Sequence, residues 1–296
     1  MASRPLVNTG EKSLVFHVGA APTASWRLQR CLVRNGESLR AGGLQYVAND
    51  VLAGGIGALI EDPEPLASVL DQALHAPELE VLVASQEGTL GHPFDRSGGD
   101  GGGLFADAGP ALDALAELTR SYRRTIVLSV CPQPEFLESY FRRMINAGDW
   151  AAFDAWLDGV DLDELSWLPV HEKLVGAFGA DDVRVIDYRD IEQDEAGFLR
   201  NFFALVGRDL PITAVDLPES RPGLSAKGLR VALAGAPYLT GSGQRGRLHE
   251  FVLRNFSELD YPRPSLLSGE RRAALKDRYG DEYERLVAHG ATTDGA

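Results

Sequence analysis

A chain of 296 residues, 44% of them hydrophobic, has enough apolar material for one large α/β domain or two small ones. Its net charge of −14 argues against nucleic acid and against anionic membrane surfaces as partners, because both reward clustered Lys and Arg. No run of eighteen apolar residues occurs, so no membrane span is expected.

Residues 1–12 lack the basic-then-apolar layout of a secretory signal. Leu14–Val18 then reads as a short buried strand ending at Gly19. A small-residue loop, Ala20–Ser25, leads into an amphipathic helix expected over Trp26–Arg40. Strand, small-residue loop and helix together form the layout of an anion-binding turn, in which backbone N–H groups at the helix start face the ligand. Leu44–Val47 reads as the start of a short connection, and Leu66, Val69, Leu70 and Ala73 give Pro65–Ala76 helical spacing.

Glu80–Ala84 is a second buried strand, followed at once by Ser85, Gln86 and Glu87. Ser97–Gly103 is Gly-rich and reads as an exposed, flexible surface loop. A helix is expected over Ala111–Arg124, a third strand over Thr125–Val130 and a helix over Pro134–Ala147. Leu174–Phe178 and Gly179 precede a fourth strand, Val183–Tyr188, and Phe198–Val206 is again helical. Strands alternating with helices imply a central parallel sheet covered on both faces. Ligands in such folds bind beyond the carboxyl ends of the strands, so the turns after Val18, Ala84 and Val130 are the informative ones.

Beyond Asp216 the pattern turns helical, over Ser225–Ala236, Gly246–Phe256 and Ser268–Val287, with a frayed end at Gly290–Ala296. The chain therefore reads as one domain, an α/β core over 13–216 with a helical C-terminal part over 217–289. Cys31 and Cys131 lie outside any CxxC pair, so no metal site is expected and a reduced, cytoplasmic protein is the reading.

Four segments, in order, resemble the bacterial sulfotransferases of the P-loop-like superfamily. His17-Val18-Gly19 through Leu28-Gln29, continuing to Leu39, Gly42, Gly43 and Tyr46, is similar to the family's opening strand, loop and helix. Val81–Glu87 resembles its strand ending in S-x-E, and Ile126–Tyr140 its strand, basic turn and Y-L-E-S-x-Y helix. Phe178-Gly179 to Tyr188 with Phe198–Gly207 resembles F-G-x-D-x-V-x-V-x-x-Y and F-L-x-x-L-G.

The resemblance implies a donor, 3′-phosphoadenosine 5′-phosphosulfate (PAPS), or its product adenosine 3′,5′-bisphosphate. It implies donor-site positions at Gly19, Thr23, Ala24, Ser25, Trp26 and Ser139. Sulfuryl transfer is an in-line displacement that builds charge on the leaving phosphate, so active members place a Lys in the first loop and an Arg after the third strand. Here Pro22 and the stretch Val130-Cys131-Pro132-Gln133 stand in those places, and Trp26 replaces a hydroxyl.

Arg142 and Arg143, or Lys227 and Arg230, either replace the missing cations or form solvated helix faces, Arg142 pairing with Glu138 four residues before it. Glu87 is either the general base or a cap, and His17 is either a base or a satisfied core histidine. Two functions remain. One is a non-catalytic or repurposed member with a protein partner or another small ligand; the other is a divergent transferase acting on a small-molecule, glycan or lipid hydroxyl or amine.

Overall fold

The computed structural model describes residues 12–19, 25–47, 62–86, 88–94, 103–146, 150–205 and 223–291. The described chain forms two compact units. The first comprises Met1–Cys131, Asp163–Pro218 and Asp281–Ala296, and the second Pro132–Leu162 and Glu219–Gly280.

The first unit is built on a five-stranded parallel sheet: β1 (Ser13–Gly19), β2 (Leu44–Val47), β3 (Val81–Gln86), β4 (Arg123–Val130) and β5 (Val183–Asp187). The order is β2-β3-β1-β4-β5. The first crossover leaves β1 towards one edge, and the crossover from β3 to β4 passes to the other side. The topological switch therefore falls at β1, the kind of position beyond whose carboxyl end open parallel sheets bind their ligands. Central position explains why β1 and β3 are apolar on both faces: residues 14–19 and 81–86 are all buried.

One face of the sheet, carrying Val15, Val83 and Val127, packs on Leu28, Leu32, Leu39, Phe198 and Phe202 from the helices over 25–41 and Glu195–Leu205. The other face carries Leu14, Phe16, Leu82 and Leu128. The α/β class with helices on both faces thus stands, with one strand more than the sequence suggests. Leu44–Val47 is the edge strand β2, too short for its period to be legible.

Several boundaries also move. The helix expected over Trp26–Arg40 breaks into Ser25–Arg34 and Gly36–Ala41. The Asn35 side chain donates to the carbonyl of Cys31 at 2.8 Å, and Gly36 follows it. The helix expected over Ala111–Arg124 is Gly109–Leu118, closed by the Thr119 hydroxyl bonding the Leu115 carbonyl at 2.7 Å. Arg123 and Arg124 belong to β4. Tyr188 starts a helix rather than ending a strand, since the Asp187 carboxylate accepts the N–H of Arg189 at 2.7 Å and caps it.

The second unit is helical. Gln133–Asn146 buries Phe136, Leu137 and Phe141, and Phe141 meets Phe153 edge-on at 5.0 Å. Glu138, the expected partner of Arg142, instead accepts the N–H groups of Leu266 and Leu267 and pairs with Arg272 at 2.8 Å. The helices Ala226–Gly235 and Ser242–Asn255 approach closely at Gly228, where a Cβ would stand 2.6 Å from the Phe256 carbonyl. No described helix is long and apolar enough to cross a membrane. The Gly-rich stretch Ser97–Gly103 lies outside the described residues except for Gly103.

Candidate functional site

The carboxyl end of β1 carries His17 and Gly19 on one face, the face that packs on helix Ser25–Arg34. That helix starts directly over Gly19. A Cβ on Gly19 would lie 1.9 Å from Ser25 Oγ and 3.0 Å from His17 Cε1, so only glycine fits. Ser25 itself is 1% exposed, and its hydroxyl has no hydrogen-bond partner among the described residues. A buried hydroxyl without a partner costs about 1–3 kcal/mol. At a helix N-terminus, where the first backbone N–H groups have no intrahelical partner, such a hydroxyl can donate to an oxyanion.

Below Ser25 runs a closed polar network. His17 Nδ1 is 2.9 Å from Ser85 Oγ on β3, and Nε2 is 2.6 Å from Ser129 Oγ on β4. Gln29, one turn into the helix, donates to the Ser85 carbonyl at 3.3 Å. Phe202 meets the imidazole edge-on at 6.0 Å. Burial holds the His17 pKa down at about 3, so the ring is neutral, with one nitrogen donating and the other accepting. Both nitrogens are occupied by serines, and the ring is 1% exposed. This geometry makes His17 a pillar of the turn rather than a base open to an acceptor hydroxyl.

The sequence reading did not assign roles to Ser85, Ser129 or Gln29. The signal was present: Ser129 interrupts the apolar run Thr125–Val130, and a polar residue inside a central strand has to find a partner.

At the end of β5, Asp187 is 4% exposed. It accepts the Tyr283 hydroxyl at 2.7 Å and pairs with Arg189 at 2.6 Å. Arg189 also meets Glu284 at 2.8 Å. Two carboxylates thus hold this guanidinium. Cys131 is buried, its carbonyl accepting Trp167 Nε1 at 2.9 Å. An arginine placed at 131 would have to enter apolar packing.

Pro22, Thr23, Ala24 and Glu87 lie outside the described residues, and Trp26 enters only as backbone of the helix. Gly19, Ser25 and His17 are brought together in the first unit. Ser139, Arg142, Arg143, Lys227 and Arg230 belong to the second. Ser139 and Arg142 are half-buried on helix Gln133–Asn146, with Arg143 exposed beside them. Lys227 is exposed, its ammonium 4.8 Å from the centre of the Phe256 ring and 4.9 Å from that of Tyr261. Arg230 is exposed, its Nε donating to the Ala226 carbonyl at 3.2 Å. No group of three or more metal-ligating side chains occurs among the described residues.

The fit at Gly19 gives a direct test. Gly19→Ala is expected to destabilise the fold by about 1–3 kcal/mol, the usual range for overpacking, measured by urea unfolding. Adding Ser25→Gly, which vacates the contested space, should recover most of that loss. A Gly19→Ala variant as stable as the parent would contradict the close approach.

No family model matches the chain, and no curated protein matches it. Among solved structures, a sulfotransferase from Alicyclobacillus acidocaldarius is similar at 11% sequence identity and a TM-score of 0.46. The match covers 86% of this chain and 98% of that one.

Proposed function

We propose that this chain is a non-catalytic or repurposed protein of sulfotransferase type, with a weak oxyanion site at the turn after β1 and no sulfuryl-transfer activity. The observation that carries the reading is the Ser25 hydroxyl, buried and without a partner among the described residues, at the start of helix Ser25–Arg34. A hydroxyl and a helix N-terminus suit one anionic oxygen. They do not suit the charge that builds on a leaving phosphate. The position expected to carry the compensating Lys is Pro22, which lacks even an N–H.

Among the described residues, β1 itself offers a neutral His17, and the end of β5, beyond β4, an Arg189 already held by Asp187 and Glu284. The described residues therefore suit an oxyanion rather than PAPS as a reactive donor.

Calorimetric titration with adenosine 3′,5′-bisphosphate tests the reading. The parent chain is expected to show no saturable binding in the micromolar range. Pro22→Lys with Trp26→Thr, which leaves buried Cys131 alone, should tighten binding by about tenfold to a hundredfold, since a charged contact is worth roughly 1.5–3 kcal/mol. Micromolar binding by the parent would overturn the non-catalytic reading and favour the divergent transferase. A folded double variant that gains nothing would mean that the turn serves a different anion.

A further inference from the structure

The charge of −14 is unevenly spread. Residues 223–263 carry Lys227, Arg230, Arg245, Arg247, Arg254 and Arg263 against Glu250, Glu258 and Asp260, a local excess of three positive charges. All six cations are exposed. The same part of the second unit also concentrates exposed apolar side chains. Of the five large hydrophobic residues exposed among the described ones, Tyr238 (83%), Phe251 (55%) and Leu259 (71%) fall within residues 236–259.

Several of these side chains adjoin. Arg247, Phe251 and Arg254 are spaced four and three apart on helix Ser242–Asn255, which places them on one face. Lys227 and Arg230 likewise share a face of helix Ala226–Gly235. A run of rings joins the two faces. Phe251 meets Phe256 at 6.4 Å, Phe256 meets Tyr261 at 5.9 Å, and the Lys227 ammonium lies over both Phe256 and Tyr261.

We propose that this basic, aromatic surface docks the protein onto the face of an anionic lipid membrane, without crossing it. Lysine and arginine near a lipid surface are attracted to its anionic headgroups, and tyrosine, phenylalanine and leucine enter the headgroup boundary. A soluble polyanion would satisfy the cations but leave the exposed apolar side chains unaccounted for; a lipid surface takes both. Net charge taken as one number argues against such a membrane, but the segregation of charge reverses that conclusion locally.

Flotation of the full-length chain tests this, using vesicles of phosphatidylcholine with about 30% phosphatidylglycerol beside pure phosphatidylcholine at roughly 0.1 M salt. The protein should float with the anionic vesicles and stay behind with the neutral ones. Each basic side chain at such a surface contributes about fivefold in affinity (about 1 kcal/mol). Arg247→Gln with Arg254→Gln should therefore weaken binding roughly twenty-five-fold. Tyr238→Ser with Phe251→Ser should also weaken it, with circular dichroism confirming that both variants remain folded. Absence from anionic vesicles, or equal flotation with neutral ones, would overturn the proposal. So would capture by soluble polyphosphate together with vesicle binding that ignores the Tyr238 and Phe251 changes, which would make the surface a plain polyanion site.

Discussion

Lowering the pH from 7 to 5 is expected to destabilise the folded protein by about 2 kcal/mol through His17 alone, and by about 3 kcal/mol at pH 4. In the unfolded chain the imidazole titrates at its ordinary 6.5, whereas in the fold burial lowers it to about 3. Between those values the unfolded state binds a proton that the folded state refuses. The stabilisation from a neutral buried His17 is thus fully present above pH 6.5 and is lost as pH falls towards 3. The described partners of the ring, Ser85, Ser129 and Phe202, carry no charge to stabilise an imidazolium. Urea unfolding at pH 7, 6, 5 and 4 measures the effect. His17→Asn should be less stable at pH 7, because it abandons at least one buried serine, yet should lose less stability than the parent between pH 7 and pH 5. Equal pH slopes for parent and variant would show that His17 is not the group responsible.

The same residue links fold to function. The His17 ring is tied to β3 and β4 at the height where helix Ser25–Arg34 begins, one alternation below Gly19. Gly19 needs that fixed height, since Ser25 Oγ occupies the space where its Cβ would be. Acid that charges His17 should therefore loosen the turn as well as the core. An oxyanion bound at Ser25 should in turn oppose unfolding by mass action.

Hydrophobic runs made the sheet legible. Leu14–Val18, Glu80–Ala84 and Thr125–Val130 mark strands to within a few residues because central parallel strands are apolar on both faces, and Val183–Tyr188, at the edge as β5, shows the alternation of a half-buried strand. The edge strand Leu44–Val47 escaped that rule, since four residues give no readable period. Helix ends were misplaced where a single side chain decides them: Asn35, Thr119 and Asp187 each divert a backbone group that propensity alone would leave in the helix or strand. At the site, the turn after Val18 was readable from its strand, small-residue loop and helix. The serines around His17 were not, because their partners lie 68 and 112 residues away in sequence.

Asp187→Ala is expected to cost about 2–4 kcal/mol, from a lost helix cap and a stranded buried hydroxyl, since the Arg189 left behind is part-exposed. Asp187 accepts at one carboxylate oxygen both the Arg189 backbone N–H and the Tyr283 hydroxyl, each at 2.7 Å, and at the other the Arg189 side chain. Its removal uncaps the helix beginning at Tyr188. It also strands the hydroxyl of Tyr283, whose other contact, the Val130 carbonyl, is 3.4 Å away. Tyr283 is 2% exposed, so water does not replace the lost acceptor. The Arg189–Glu284 pair should contribute little, because Glu284 is 63% exposed and the Arg189 side chain 38%. Tyr283→Phe, which removes donor and leaves packing, should cost only about 1–2 kcal/mol. The two changes together should cost less than their sum, since the stranded hydroxyl is gone, with a coupling of about 1 kcal/mol or more. Urea unfolding of the four proteins gives the cycle. Additive costs, or an Asp187→Ala variant within about 0.5 kcal/mol of the parent, would show that the end of β5 is not held by this carboxylate.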